Sequence, residues 1–408
     1  AYGAVDLLIV GKFGNASSIS AVGTGSSFMQ MATFIITSLA MGSTVIIGHH
    51  IGEQKPKEAG NAVGTTIILF LIIAVIMTFV LEFAAGGIAH LLQAPAESFD
   101  KTILYIRICS AGIVIIIAYN VISGVLRGVG NANLPLLFVG IACVINILGD
   151  LLLVGVFHMD VAGAAIATVF AQFVSVVCSV VVLRKQDMPI EFSREQCRIY
   201  KEELGKILNV GVPIALQETT VQISFLVVNS VINQMGLMPS AGYGIAQKIV
   251  SFIMLVPSSI MQSVSAFVAQ NIGAGKKSRA WKGFYTAIIT GCSVGIIIFM
   301  VGFFGGGVLS SFFTNDSEVI AQSAAYLKGF SADCILTCVL FSSIGYFNGC
   351  GKSIPVMIQG ITSAFCIRIP VSINVEITGN ISDLCWNGDT DYNCIWNYLF
   401  CNLFPAVK

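Results

Sequence analysis

The sequence predicts an all-α, polytopic membrane protein made of two pseudo-symmetric six-helix lobes. Three observations support this fold class: the composition, the length of the apolar runs and an internal repeat. The 408-residue chain is 56% hydrophobic and only 10% charged, with a mean hydropathy of +0.87. A soluble domain carries about a quarter charged residues, which keep its surface wet. The composition therefore indicates a chain that lies mostly within a bilayer.

The charge balance and the cysteines argue against several other classes of protein. The 21 basic and 21 acidic residues give a net charge of zero, whereas a nucleic-acid-binding protein would show a basic face. Several of the 12 cysteines lie singly inside apolar runs, where a buried thiol behaves as a small hydrophobe. No spacing of cysteines and histidines matches a zinc, haem or iron–sulfur site. We therefore expect no cofactor, no resident metal and no nucleic-acid partner.

Ten apolar runs approach or exceed the length of about 20 residues that crosses the hydrocarbon core of a bilayer. They lie near residues 20–51, 61–82, 101–126, 132–156, 160–184, 204–235, 240–271, 281–308, 318–348 and 352–373. A shorter run, 1–13, ends at a turn and is expected to be the end of a partial first helix. The longest connector is rich in basic residues, which predicts a cytoplasmic location for it. The predicted organisation is an N-lobe over 1–184, a cytoplasmic linker over 185–203, a C-lobe over 204–373 and a tail over 374–408.

An internal repeat relates the two lobes at an offset of 221 residues, and its matches fall on glycines and loop signals. The matched pairs include Gly124 and Gly345, Gly128 and Gly349, Gly130 and Gly351, Glu97 and Glu318, Tyr105 and Tyr326, and Ser110 and Ser331. Membrane proteins built from two similar halves are typically secondary transporters. The repeat also places the start of the first helix before Ala1, so we expect a longer N-terminus than this sequence contains.

Two acids interrupt the apolar runs of the first lobe at the same depth. Asp6 and Asp150 each lie about eight residues from the outer end of their helices, which is about 12 Å at 1.5 Å per residue. Thr168 lies at a similar depth, and Asn146 is one turn from Asp150 on the same face. These oxygens can bind a small cation, or the two carboxylates can share one proton. The alternative is a structural hydrogen-bonded group that ties helices together.

Glu218 lies near the expected midplane of the first apolar run of the second lobe. It is twelve residues from Lys206, which lies at the expected cytoplasmic end of this run. This spacing places Glu218 about 18 Å below the cytoplasmic surface. Gln222 lies one turn away on the same face. A carboxylate at this depth suits a cationic organic substrate, whose charge needs an anion once it leaves water. The alternative is a helix-packing contact to Gln247 or Lys248.

Several short strings occur in a distinctive order along residues 1–373. They are Ala4-Val5-Asp6, Ile51-Gly52, Arg127-Gly128, the segment from Asn146 to Asp150, the segment from Gly163 to Thr168, Gly211-Val212-Pro213 and the segment from Asn271 to Gly275. As an ordered set they resemble the multidrug and toxic compound extrusion (MATE) family. The resemblance implies a monomeric, twelve-helix antiporter in the cytoplasmic membrane of a prokaryote. Such a protein exports organic cations, drugs or other amphipathic compounds in exchange for Na⁺ or H⁺.

The resemblance also implies which residues bind the coupling ion. In related transporters the positions that match Asp6, Asn146, Asp150 and Thr168 form a cation site in the first lobe. The family often has an acid in the helix that contains Glu218, but its spacing from Pro213 varies. Glu218 and Gln222 therefore remain candidates for the substrate cavity on their chemistry alone.

Two other functions remain open at this point. A lipid-linked precursor flippase of a related fold would need several cationic side chains for a diphosphate group. The buried runs offer mainly acids and amides, with Lys248 and Arg368 as exceptions. An integral membrane enzyme would need a catalytic motif, and the sequence has neither an HExxH string nor an acid-paired nucleophile. We therefore expect a transporter and not an enzyme.

The C-terminal segment departs from both the repeat and the family. Residues 374–408 are rich in Asn, Asp, Tyr and Cys, where a final apolar helix is expected. Codons for these residues end in a pyrimidine, and a one-base shift would move that pyrimidine to the middle of a codon. Most codons with a central pyrimidine encode apolar residues or Thr. We hypothesise a frameshift near codon 374; the alternative is a genuine polar tail.

Overall fold

The computed structural model describes residues 2–185, 188–234, 236–314 and 316–378. Across these ranges the secondary structure is helical and contains no β-strand. This confirms the all-α, polytopic fold class that the sequence predicts. The predicted frameshifted tail lies largely outside the described residues, which end at Thr378.

The chain divides into two compact units, Ala1–Leu208 and Asn209–Lys408. The helices of the first unit are α1 (Tyr2–Phe13), α2 (Ala16–Gly52), α3 (Pro56–Leu91), α4 (Phe99–Ala111), α5 (Ile113–Val129), α6 (Asn133–Asp150) and α7 (Asp160–Lys185). The division falls inside α8 (Lys201–Gln234). The second unit continues with α9 (Leu237–Ile253), α10 (Leu255–Gly273), α11 (Lys277–Ser311), α12 (Ser317–Gly349), α13 (Ile354–Thr362) and α14 (Ile369–Thr378).

Among the described residues, nine helices or helix combinations are long and apolar enough to cross a membrane. The number is ten if α4 and α5, which meet at an angle of 52°, form one bent span. Leu151–Val156 is a π-helical turn that continues α6, and Ser363–Arg368 is a π-helical turn between α13 and α14. The ten predicted apolar runs coincide with these spans.

Local sequence signals explain where several helices begin and end. The side chain of Asn15 accepts a hydrogen bond of 3.0 Å from the backbone N–H of Ser18, which caps the start of α2. Pro56 occupies the first turn of α3, where its missing N–H costs no hydrogen bond. Gly130, with a φ of 94°, follows α5 in the left-handed region, as is typical of a helix C-terminus.

One helix in each unit is buried by its neighbours, and another is left for the bilayer. In the first unit, 61% of the most apolar 18-residue stretch of α2 is buried, and the same stretch of α3 is only 17% buried. In the second unit the corresponding values are 72% for α12 and 17% for α11. Apolar helices that bury so little of their surface in protein need lipid around them. α2 and α12 are therefore the core helices of their units.

Matched glycines allow close helix packing in both units. A Cβ added at Gly128 of α5 would lie 2.8 Å from the carbonyl oxygen of Thr44 in α2. A Cβ at Gly349 of α12, the repeat partner of Gly128, would lie 2.6 Å from the carbonyl oxygen of Ser265 in α10. Small residues commonly permit such contacts between membrane helices. The repeat therefore preserves a packing contact.

The predicted run 101–126 is not one straight helix. It breaks at Gly112, between α4 and α5. A Cβ at this glycine would collide with the side chain of Val169 in α7. The break is therefore located where a glycine lets α7 approach the backbone. The matching helix of the second unit, α12, continues without interruption from Ser317 to Gly349.

Candidate functional site

The first unit contains a buried polar cluster made of five side chains from four helices. α1 contributes Asp6, α4 contributes Tyr105, α6 contributes Asn146 and Asp150, and α7 contributes Thr168. Asp6, Asn146 and Asp150 have no exposed surface, and the other two are 2% and 8% exposed. The structure therefore brings together the four residues that the sequence predicts for the coupling-ion site. We call these five residues the acidic cluster.

Asp6 accepts hydrogen bonds from three side chains of the acidic cluster. The bonds are Tyr105 Oη to Asp6 Oδ2 (3.1 Å), Thr168 Oγ1 to Asp6 Oδ2 (3.0 Å) and Asn146 Nδ2 to Asp6 Oδ1 (3.2 Å). The Asn146 amide nitrogen also lies 3.2 Å from Thr168 Oγ1 and donates to it. Because donors from three helices converge on it, the Asp6 carboxylate is held in a fixed position.

Asp150 is in the opposite situation. Its carboxyl group lies beside that of Asp6, yet neither of its buried oxygens accepts a hydrogen bond from any described residue of the protein. The buried Oδ1 of Asn146 likewise lacks a donor in the described part of the chain. Buried oxygens without donors are costly. Two adjacent carboxylates also repel each other when both are ionised. A proton or a small cation at this position would relieve both penalties.

The backbone next to Asp150 is irregular. α6 ends at Asp150, and the π-helical turn Leu151–Val156 follows directly. π-helical turns inside α-helices occur frequently at functional sites. The wider turn therefore begins directly after Asp150, whose carboxyl oxygens lack donors among the described residues.

Tyr105 is a member of the acidic cluster that the sequence does not single out, since it stands out there only as one of a repeated pair. A tyrosine in an apolar helix is commonly a packing residue. Its partner Tyr326 illustrates that role, since it packs edge-on against Tyr243 with ring centroids 5.2 Å apart. The residue that matches Asp6 in the repeat is Val227. The second unit therefore keeps the tyrosine and lacks the carboxylate.

A second polar cluster joins the predicted outer ends of α2, α4 and α7. Lys101 Nζ lies 2.7 Å from Asp160 Oδ2 and donates at 2.7 Å to Ser18 Oγ. Ser18 also donates to Asp160 Oδ2 at 2.8 Å. Both charged side chains are about a third exposed, at 31% and 35%. These contacts tie the starts of α2, α4 and α7 together near the helices that form the acidic cluster.

Glu218 and Gln222 lie on α8 in the second unit and contact each other. Gln222 Nε2 donates to Glu218 Oε1 at 2.7 Å, and both side chains are half-buried. No cationic side chain pairs with Glu218 among the residues that the structure describes. Gln247, the alternative partner considered from the sequence, donates instead to the hydroxyl of Tyr243. A role of Glu218 in substrate binding stays a prediction.

The ligand atoms of the acidic cluster differ from those of a typical transition-metal site. No group of three or more His, Cys, Asp or Glu side chains within the described ranges could hold a metal ion. The acidic cluster offers only oxygen ligands, which suit hard cations. It can therefore hold a proton or a small hard cation, and it lacks the nitrogen and sulfur ligands that zinc and copper favour.

Comparison with protein families finds one match that covers most of the chain. The MatE family model matches residues 1–152 and 213–373. The first of these segments includes Asp6, Tyr105, Asn146 and Asp150, and the second includes Glu218 and Gln222. The match therefore extends over both compact units.

Bacterial relatives resemble the chain at moderate identity. The probable multidrug resistance protein YoeA of Bacillus subtilis is 27% identical over 329 residues, which are 77% of this chain and 70% of that protein. The multidrug export protein MepA of Staphylococcus saprophyticus is 24% identical over 396 residues, which are 95% of this chain and 85% of that protein.

Solved structures share the fold. One, described as the outward-facing conformation of a multidrug resistance MATE family transporter, matches with a TM-score of 0.93 and 21% identity, covering 100% of this chain and 92% of that one. A MOP superfamily transporter from Pyrococcus furiosus matches with a TM-score of 0.91 and 21% identity, covering 98% and 89%. At this identity the likeness establishes the fold alone.

Proposed function

This chain belongs to the MatE family of membrane transporters, and from this membership we propose that it is a cation-coupled antiporter that exports organic cations, drugs or other amphipathic compounds. The observation that carries the proposal is the acidic cluster. Asp6 and Asp150 are fully buried side by side, and the Asp150 oxygens have no donor among the described residues. Intramembrane acids are costly to insert and typically mark ion pathways.

Either Na⁺ or H⁺ could serve as the coupling ion. Asp6, Asp150, Asn146 and Thr168 would supply the oxygen ligands for Na⁺, through the carboxylates, the amide oxygen and the hydroxyl. A proton on one carboxyl would instead donate to the other, which removes the repulsion between them. In both cases the incoming charge satisfies the acceptors of Asp150. Tyr105 and the Asn146 amide group would keep Asp6 in place when the ion leaves.

Coupling follows if the ion and the substrate favour different conformations of an alternating-access cycle. A bound ligand shifts such an equilibrium only by its difference in affinity for the two states. A change from 1:99 to 99:1 needs a difference of about 10⁴-fold. Ion binding at the acidic cluster neutralises a buried negative charge. An interaction of this type can differ strongly between two conformations, because a buried charge is costly wherever the ion is absent.

Glu218 and Gln222 are the proposed contacts for the substrate. Glu218 is half-buried without a cationic partner in the described part of the chain, so an organic cation could supply the missing charge. Gln222 would hold the carboxylate through its hydrogen bond of 2.7 Å. The names of the bacterial relatives, which are described as multidrug resistance and export proteins, support a substrate class of drug-like compounds.

Export of a lipid-linked precursor is the second candidate function. Its diphosphate would need a cationic cavity. The guanidinium group of Arg368 lies 4.4 Å from the ring centroid of Phe225 and donates to Ser224 Oγ at 3.1 Å. Apart from Arg368 and Lys248, the apolar runs of the sequence offer mainly acids and amides, so the organic-cation exporter is the preferred proposal. We further propose that the protein works as a monomer in the cytoplasmic membrane of a prokaryote.

The proposal can be tested with inverted membrane vesicles that contain the protein. An imposed Na⁺ gradient or an imposed proton gradient should each be compared with no gradient, using a fluorescent organic cation as substrate. We expect one of the two gradients to drive accumulation of the cation, which also identifies the coupling ion. Equal accumulation with and without either gradient would contradict coupled transport.

A further inference from the structure

The segment of the first unit between α7 and α8 lies against α3. We call residues 188–200, which contain the 3₁₀ turn Arg194–Gln196, the linker strap. Its hydrogen bonds to α3 run from Glu191 N to Pro56 O (3.2 Å), from Gln196 Nε2 to Lys57 O and Asn61 Oδ1 (both 3.3 Å), and from Tyr200 N to Thr65 Oγ1 (3.1 Å). The contacts therefore extend over more than two turns of α3, as expected of a docked segment and not of a free tether.

Two glycines of α3 make room for the linker strap. A Cβ at Gly60 would collide with the carbonyl oxygen of Glu191, and a Cβ at Gly64 would collide with that of Gln196. Two glycines four residues apart usually allow a second helix to approach closely. Here they allow an irregular backbone to approach instead. Any larger side chain at either position would push the linker strap away.

A buried hydrogen bond between His50 and Glu203 lies just beyond the end of the linker strap. His50 Nε2, near the end of α2, lies 2.9 Å from Glu203 Oε2 in the first turn of α8, and both residues are 6% exposed. Lys206 Nζ lies 3.0 Å from the other oxygen of Glu203. Glu53 is 3.7 Å from the same histidine but pairs at 2.8 Å with Lys55, whose ammonium group lowers the pKa of Glu53. Glu203 is therefore the main partner of His50.

These contacts place the linker strap and the first turns of α8 in the first unit, which ends at Leu208. We propose that the linker strap stays docked on α3 throughout export and that this docking, together with the contact between His50 and Glu203, fixes the position from which α8 enters the second unit. Rearrangement of α8 during export then occurs only beyond Glu203. This inference goes beyond the proposed export function and does not depend on which ion is coupled.

Limited proteolysis tests whether the linker strap is docked. Trypsin cleaves after Arg198 only if the surrounding backbone opens, because a docked segment does not fit a protease active site. Gly64→Ala should raise the rate of cleavage at this site at least about tenfold, since an opening that is 1.4 kcal/mol easier is tenfold more populated. Gly87→Ala, on the same helix with no atom within 4 Å of its Cβ, should match the parent. Equally fast cleavage in the parent and in Gly64→Ala would overturn the proposal.

Cross-linking tests whether the linker strap stays docked during export. A Cys197→Ser background removes the exposed cysteine of the linker strap, and Asn61→Cys with Gln196→Cys can then be joined by a short, reducible thiol cross-linker. We expect the cross-linked protein to export a fluorescent organic cation as fast as the same protein before cross-linking. Slower export that a reductant restores would show that the linker strap must leave α3, and would overturn the proposal. If the parent showed no export at all, the proposed function would fail while the cleavage result still decided the docking.

Discussion

Tyr105 packs so closely against Gly25 in α2 that a Cβ at this glycine would be only 2.6 Å from Tyr105 Cδ1. The hydroxyl of the same tyrosine donates at 3.1 Å to Asp6 Oδ2. Gly25 therefore contributes to the acidic cluster although it adds no polar group, because the absence of its side chain lets Tyr105 reach Asp6.

Gly25→Ala should impair ion-coupled export by displacing Tyr105. Alanine favours a helix over glycine by about 1 kcal/mol, whereas overpacking a rigid ring costs about 1–3 kcal/mol. We expect the steric cost to dominate, because the clashing atoms belong to an aromatic ring that is 2% exposed. The ion concentration needed for half-maximal export should rise about tenfold, as a loss of 1.4 kcal/mol in binding requires.

Gly23→Ala is the matched control for this change. A Cβ at Gly23, two residues away on the same helix, would make an ordinary contact of 3.6 Å with Leu7, so export should keep its ion dependence. In a Tyr105→Ala background, Gly25→Ala should have little further effect, since the ring atoms it displaces are gone. Additive losses in the double variant would show that Gly25 acts by another route.

Gly112→Ala should destabilise the first unit by about 1–3 kcal/mol, because it overpacks the contact with Val169. Thermal unfolding in detergent measures the loss. Val169→Ala should restore part of the stability of Gly112→Ala, since it removes the two colliding methyl groups. Gly140→Ala in α6, where a Cβ meets no atom within 4 Å, is the control and should unfold at or above the parental temperature, because alanine favours a helix over glycine. A parental unfolding temperature for Gly112→Ala would contradict the close approach of α7.

Glu218→Gln should weaken export of organic cations far more than export of neutral compounds. The amide keeps the shape and the contact to Gln222 but removes the counter-charge. Losing one partner of a buried charge pair costs about 2–5 kcal/mol, so the KM for a monovalent cation should rise at least about tenfold. Competition assays with a cation and a neutral compound of similar size would measure the difference.

Glu202→Gln provides the control, because Glu202 is an exposed acid on the same helix that pairs with Lys206 at 2.8 Å. It removes the same formal charge outside the membrane-embedded part of α8 and should leave both KM values unchanged. If Glu218→Gln weakens export of cationic and neutral compounds equally, Glu218 has a packing role.

The general fold could be predicted from the sequence because apolar length and the repeat are strong signals. Helix α3 and its repeat counterpart α11 illustrate this, since both are long, apolar and mostly left for lipid. The proximity of Asp6 and Asp150 could also be predicted, because distance from a helix end gives depth in a membrane. Depth alone does not show which helices are neighbours. The resemblance to the MATE family is what indicates that these two acids belong to one site.

The helix break, the role of Tyr105 and the position of the linker strap depend on tertiary contacts, which a single sequence indicates only weakly. The break at Gly112 is caused by the approach of α7, and a glycine in a membrane helix is too common to predict a bend. Tyr105 looks like a packing residue until the position of Gly25 is known. The glycines Gly60 and Gly64 resemble a helix-packing motif, whereas in the structure they accommodate the linker strap.

We propose that Asp6 and Asp150 together bind the ion that drives export. Gradient-driven uptake of an organic cation should be measured in inverted vesicles that contain Asp6→Asn or Asp150→Asn. Each change keeps the side-chain shape and removes one charge, so we expect gradient-driven uptake to fall to background at parental expression. Asp100→Asn, at an exposed acid in the first turn of α4, should leave uptake intact. Uptake at the parental rate in both Asp6→Asn and Asp150→Asn would show that these acids do not bind the coupling ion.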